Sequence, residues 1–146
     1  MINKTQLKDL IDSTLKEYNL YSPEAAQLVY GTIIQESRRG TFIRQNVKNF
    51  DITKHAIGIA QIEYNTFIWL KRVFMSKYPE IAQIKFEELE YNLKYSILFC
   101  RLRYRVDKEP IPLTLDGQAE YWKRIYNTKY GKGTAKDYLF NFQKYA

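Results

Sequence analysis

Ser22-Pro23-Glu24-Ala25-Ala26-Gln27-Leu28-Val29-Tyr30-Gly31-Thr32-Ile33-Ile34-Gln35-Glu36-Ser37 decides the fold class. Ser22 supplies a side-chain acceptor for the free amides of a helix start, Pro23 suits the first helical position, and Glu24 meets the positive helix pole. The following stretch, Tyr30 to Ile34, carries no charge. That is the pattern of a central helix buried on all sides. The helix is predicted to run to about Ser37, with one carboxylate, Glu36, at its end.

The flanking sequence is also helical. Leu7, Leu10, Ile11, Leu15 and Tyr18 recur at helical spacing and predict an amphipathic helix over 4–19. Residues 38–57 lack a clear period and read as a long loop or a small hairpin, and such a loop in a compact domain is usually functional. A further helix is predicted from Asn65, as its cap, to Pro79. Residues 86–106 form the longest helical pattern, acidic at its start and basic at its end, as the helix dipole favours. Pro110 and Pro112 interrupt the chain. Another helix follows over 116–126, then a turn at Gly131-Lys132-Gly133. Thr134 and Asp137 form a capping box for the last helix, which ends near Tyr145. The class is mainly α, one domain over 1–146 with about six helices.

Composition narrows the function classes. At 146 residues, 45% apolar and 27% charged, the chain is globular. A domain of this size buries roughly two-thirds of its unfolded surface, enough for a single core. The net charge of +7 favours polyanionic partners such as nucleic acid, an anionic membrane face or a bacterial wall. The densest basic stretch, Arg101-Leu102-Arg103-Tyr104-Arg105, reads as a solvated helix end. Of the 23 aromatic residues, 13 are Tyr, whose flat face and hydroxyl suit a groove for sugars or bases as well as ordinary packing. The single cysteine, Cys100, excludes an internal disulfide and sits in an apolar run as an inert thiol. With one Cys and one His, no zinc spacing exists, and no cofactor is indicated. No apolar run approaches the roughly 20 residues of a membrane span. The amino terminus lacks a signal-peptide pattern, so synthesis in the cytoplasm is expected.

Glu36 carries the chemistry. Burial at the negative end of an apolar helix raises a carboxyl pKa. An acid still protonated near neutral pH can protonate a glycosidic oxygen. The competing reading is a solvated carboxylate beside Arg38 and Arg39. Ala56-Ile57-Gly58-Ile59-Ala60-Gln61-Ile62 then places small residues where bulk would block a groove. Gly58 permits a positive φ or close approach, and Gln61 offers a donor and an acceptor. An ordinary turn with Ile59 and Ile62 in the core is the plainer reading.

Four segments together carry a resemblance. Glu36-Ser37 resembles the Glu-Ser signature of the soluble lytic transglycosylase and goose-type lysozyme superfamily. Gly58-Ile59-Ala60-Gln61-Ile62 is similar to its Gly-Leu-Met-Gln-Leu segment. Asn92-Leu93 with Ser96 resembles its Asn-Ile-x-x-Gly helix, and Tyr126-Asn127 with Gly131 and Gly133 its Ala-Tyr-Asn-x-Gly segment. The matches fall in family order and cover roughly residues 22 to 140. The resemblance implies a lysozyme-like domain that cuts the MurNAc–GlcNAc β-1,4 bond of peptidoglycan. Glu36 would be the acid and then the base, taking the proton of the sugar's 6-hydroxyl as a 1,6-anhydro ring closes. Ser37, Gly58, Gln61, Tyr126 and Asn127 would line or support the cleft.

The chain also departs from the pattern. The loop between the first two motifs is longer and has Thr53-Lys54-His55-Ala56 in place of Ser-x-x-Gly. Extra residues separate Asn127 from Gly131, and Ser96 replaces a glycine. A hydrolysing lysozyme needs a second carboxylate, for which Asp51 and Glu63 are the candidates; His55 reads as a loop or cleft-wall residue. The alternatives are a hydrolytic lysozyme, a non-catalytic wall-binding or virion module, and a basic nucleic-acid binder, with no specific nucleic acid expected. The size and the Lys, Ile, Asn and Tyr content resemble a phage lysis or tail-associated enzyme. By that analogy the partners are peptidoglycan glycan strands, the anionic wall surface and other phage tail or lysis proteins. The site of action is then the periplasm, the cell wall or the virion.

Overall fold

The computed structural model describes residues 1–146. Its core forms around the helix that the opening segment predicts. That helix, α2 (Pro23–Ser37), begins where the Ser22 side chain accepts the Ala25 amide at 3.0 Å. Every residue from Leu28 to Ile34 on it is buried. It packs against α1 (Lys4–Glu17), capped by Asn3, and against α5 (Leu93–Arg105) and α7 (Ala135–Tyr145). Gly31 lets α7 approach: a β-carbon there would lie 2.1 Å from the Tyr138 hydroxyl.

The remaining elements are α3 (Tyr64–Phe74), a 3-10 turn (Pro79–Gln83), α4 (Glu88–Tyr91), α6 (Leu115–Tyr121) and a π-helical turn (Trp122–Asn127). The class is mainly α, with seven α-helices and no strand. One contiguous core of 32 buried apolar residues joins them, its largest members Trp122, Tyr104, Tyr121 and Tyr138. Six of the tyrosines belong to this core, so packing accounts for much of the tyrosine content. No helix is long and apolar enough to cross a membrane.

Several boundaries differ from expectation. The predicted 86–106 helix is two helices, α4 and α5, because Asn92 leaves helical geometry (φ −102°, ψ 101°) and its side chain accepts the Tyr95 amide at 3.1 Å. Asn and Asp compete with the helix ladder in this way and favour caps over interiors. Asn65 does not cap α3; it lies in the first turn, and Glu63 occupies the cap position without a side-chain bond. The 116–126 helix changes at Trp122 from α to π winding. The Thr134–Asp137 capping box is present, both of its bonds formed.

The long loop contains no hairpin strands. Its pairing is reduced to isolated bridges, Arg44 with Ile57 and Ile57 with Ile62. It starts from an unusual turn in which Arg38, Arg39 and Gly40 all have positive φ (51°, 54° and 78°). Arg39 holds this turn: its guanidinium is buried and donates to the backbone carbonyls of Ile2, at 2.8 Å, and Tyr145. A charge-assisted bond of this kind contributes about 1.5–3 kcal/mol, enough to offset the cost of left-handed geometry at two non-glycine residues.

Candidate active site

Glu36 projects from the last turn of α2 and is half-buried. The Trp122 indole N–H donates to Glu36 Oε2 at 3.0 Å, and Trp122 itself is fully buried. Burial raises the Glu36 pKa from its ordinary 4.5 to about 7, against the pull of the Trp122 bond, which favours the carboxylate. Arg38 and Arg39 do not neutralise it. Arg39 is engaged by backbone carbonyls, and Arg38 lies over the Tyr145 ring at 5.3 Å. The reading of Glu36 as a solvated partner of these arginines does not hold.

The acid stands where two hollows meet. One is a cleft of ≈ 390 Å³ bordered by Glu36, Gln61, Glu63, Arg103, Tyr126 and Asn127, with Thr66 and the 128–131 loop completing its wall. The other, of ≈ 110 Å³, lies against Gln35, Arg38, Phe42, Asn141 and Tyr145. Hollows of ≈ 420 and ≈ 410 Å³ occur elsewhere, but neither borders Glu36 or the Gly58–Ile62 segment.

The structure brings together five of the residues that the sequence nominated: Glu36, Gln61, Glu63, Tyr126 and Asn127. Gln61 sits at φ 53°, and its side-chain amide donates to the Gly58 carbonyl at 2.9 Å. That bond uses the amide nitrogen and fixes the side chain of a residue in a sparsely populated conformation. Tyr126 donates its hydroxyl to the Ala60 carbonyl at 2.5 Å and stacks on Tyr104, with centroids 5.2 Å apart. Burial raises its pKa well above 10, so it remains a donor. Asn127 Oδ1 accepts from Lys123 at 2.6 Å, which turns the side chain against Gly131. The π turn sets these positions, since the same short segment presents Trp122 to Glu36 and Tyr126 to the Gly58–Ile62 loop.

Three nominated residues have other roles. Ser37 is fully buried; its hydroxyl donates to the Ile33 carbonyl at 3.0 Å and accepts the Gly40 amide at 2.9 Å. It shapes the turn after α2 and faces no cleft. Gly58 is buried against the α4–α5 junction. A β-carbon there would lie 2.4 Å from the Leu89 carbonyl oxygen and 2.6 Å from the Ser96 hydroxyl. Its small size serves helix packing, with Ser96 itself donating to Leu89 at 2.5 Å. Asp51 organises the loop. Its carboxylate accepts from the Thr53 amide (2.9 Å) and hydroxyl (2.7 Å), which lowers its pKa, and it does not border the cleft. Glu63 is therefore the one nominated second carboxylate in the cleft. His55 is a loop residue: Nδ1 accepts the Asp51 amide at 2.9 Å, and the ring packs near Phe50.

Two site residues escaped the sequence reading. Trp122 read as a helix residue with no special part, and only its rarity marked it. Arg103 falls in a basic run that reads as a solvated face, whereas it is half-buried and borders the cleft. Cys100 is fully buried, and burial pushes its thiol pKa far up, which leaves it unreactive. No three of His, Cys, Asp and Glu come together as metal donors. Compared with known proteins, the chain matches no family model, no curated protein and no solved structure.

Proposed function

We propose that this protein cleaves the MurNAc–GlcNAc β-1,4 bond of peptidoglycan as a lytic transglycosylase, with Glu36 as its acid and base. One observation carries the reading. A single half-buried carboxyl group, held by the Trp122 N–H and raised to about pKa 7, stands where two hollows meet. A group with that pKa populates both protonation states near neutrality, as one residue acting first as acid and then as base requires. The wider ordered motif set supports the choice of glycan.

The step balances without water. Protonated Glu36 gives its proton to the glycosidic oxygen, the C1–O bond breaks, and the GlcNAc 4-hydroxyl leaves. An oxocarbenium-like centre remains at C1. The Glu36 carboxylate then takes the proton of the 6-hydroxyl, and that oxygen closes on C1. The product is a 1,6-anhydroMurNAc end, and Glu36 is again protonated. Tyr126 and Gln61 give the cleft wall a fixed shape, because each is tied to the backbone of the Gly58–Ile62 loop.

Glu63 in the same cleft favours one second reading, a hydrolase in which this carboxylate holds the attacking water. Mass spectrometry of the fragments released from purified sacculi separates the two, since anhydro and reducing ends differ by one water. The Glu36→Gln protein is expected to fold and to lose about 10²–10⁴-fold in rate, the range of a positioned general acid. Retained clearing by Glu36→Gln refutes the catalytic assignment. Binding to sacculi with no release of soluble fragments by the unaltered protein supports a wall-binding module instead.

A further inference from the structure

We infer that Arg103 makes the cleft selective for acidic glycan, binding a substrate carboxylate beside the bond that is cut; this rests on the glycan-cleaving reading above. Arg103 projects from α5 into the cleft wall, half-buried, beside Gln61, Glu63 and Tyr126. Its guanidinium lies over the Trp69 ring, 5.3 Å from the centroid, and Trp69 is 39% exposed. That contact places the guanidinium at the cleft wall against an aromatic face.

The guanidinium has no hydrogen-bond or ion-pair partner within the protein. The three ion pairs are Arg44–Glu90, Lys94–Glu17 and Arg124–Glu109, and Arg103 belongs to none. Glu63 borders the same cleft yet stays beyond ion-pair distance. The unpaired donors of a guanidinium in a cleft match a planar acceptor such as a carboxylate, which accepts two parallel N–H bonds. A neutral sugar offers these donors only uncharged hydroxyl and amide oxygens, and a bond to a carboxylate is roughly twice as strong, which favours acidic glycan. Wall glycan carries such a group in two places, on the lactyl ether of a peptide-free MurNAc and on the acidic residues of a peptide stem.

The test is a titration of the Glu36→Gln protein, which cannot turn over its ligand, with three soluble oligomers. One is a neutral GlcNAc oligomer, one a peptide-free GlcNAc–MurNAc oligomer, and one the same oligomer with its peptide stems. The acidic oligomers are expected to bind about tenfold more tightly than the neutral one, the scale of one charge-assisted bond. Adding Arg103→Gln is expected to bring them down to the neutral oligomer. A gain already full with the peptide-free oligomer assigns the contact to the lactyl carboxylate; a gain only with stems assigns it to the peptide. Equal affinity for all three, or an acidic preference that survives Arg103→Gln, overturns the inference, as does failure to bind any oligomer. Cleavage of sacculi is scored separately. An Arg103-dependent preference without cleavage leaves this assignment standing and removes the catalytic one; cleavage without preference does the reverse.

Discussion

Trp122 and Glu36, 86 positions apart in sequence, meet through an N–H···Oε2 bond of 3.0 Å. An indole N–H only donates, so Oε2 accepts; the carbonyl-type oxygen is the better acceptor, which favours the proton of neutral Glu36 on Oε1. The bond thus biases which oxygen carries the acid proton. It also opposes the rise in pKa that burial imposes. The two effects leave the carboxyl near 7, where neither alone would hold it.

Trp122→Phe removes the donor and keeps an aromatic ring. The carboxylate loses a stabilising bond, so the Glu36 pKa is expected to rise above 7 by about one unit, the equivalent of a bond of about 1.4 kcal/mol. Activity that needs protonated Glu36 is lost as pH climbs through that pKa. The alkaline limb of the pH–rate profile should therefore move to higher pH. An unmoved limb in a folded Trp122→Phe protein shows that the bond does not set the pKa.

Glu36→Gln should change stability with a defined sign. The folded pKa, about 7, exceeds the ordinary 4.5, so the folded state binds more protons between those values and stability falls as pH rises from about 4.5 to about 7. Gln cannot ionise. The variant is expected to match the unaltered protein near pH 4 and to exceed it above pH 7, by up to about 3 kcal/mol. Urea unfolding at pH 4 and pH 8 measures both ends. A constant difference between the two pH values shows that Glu36 ionises without strain.

Much of this arrangement is visible in the sequence, and the rest is hidden for identifiable reasons. The apolar run from Leu28 to Ile34 announces α2 because helical periodicity and Ser22 capping agree there. Glu36 is legible as a carboxylate at the end of an apolar helix, and it does border the same cleft as Tyr126. The Asn92 break was hidden by a helical pattern that continues through it; one side-chain bond to the Tyr95 amide decides the matter locally. Ser37 and Gly58 lie next to cleft residues in sequence, but whether a small residue serves a ligand or a neighbouring helix depends on what packs behind it. For Gly58 that is the Leu89 carbonyl, 31 residues onward. Arg103 was hidden by its neighbours: Arg101 donates to the Leu20 carbonyl and Arg105 is exposed, so one basic run serves three surroundings.

Gly58→Ala tests the packing role. The residue has φ 80°, and an added β-carbon would lie 2.4 Å from the Leu89 oxygen. Left-handed backbone costs a non-glycine residue about 1–2 kcal/mol, and relieving the clash adds to that. A loss of at least about 2 kcal/mol is expected, a fall in Tm of several degrees for a domain of this size. Replacing Ser96 by Gly as well should not restore it, because the nearer obstacle is backbone. A Gly58→Ala protein with unchanged Tm but weakened glycan binding would return this glycine to the cleft.

The two candidate second carboxylates are separated by product analysis. Asp51 accepts from Thr53 through Oδ1 and lies away from the cleft; Asn keeps that acceptor, so Asp51→Asn is expected to leave rate, products and fold unaltered. Glu63 borders the cleft and is exposed. If closure by the 6-hydroxyl is the main route, Glu63→Gln leaves anhydro ends as the product and changes the rate by less than about tenfold, because no water has to be activated. If the protein hydrolyses, the unaltered enzyme yields reducing ends, and Glu63→Gln lowers their formation by about 10²-fold or more. The transglycosylase reading expects the first result; reducing ends that vanish with Glu63 make the protein a lysozyme with the same acid.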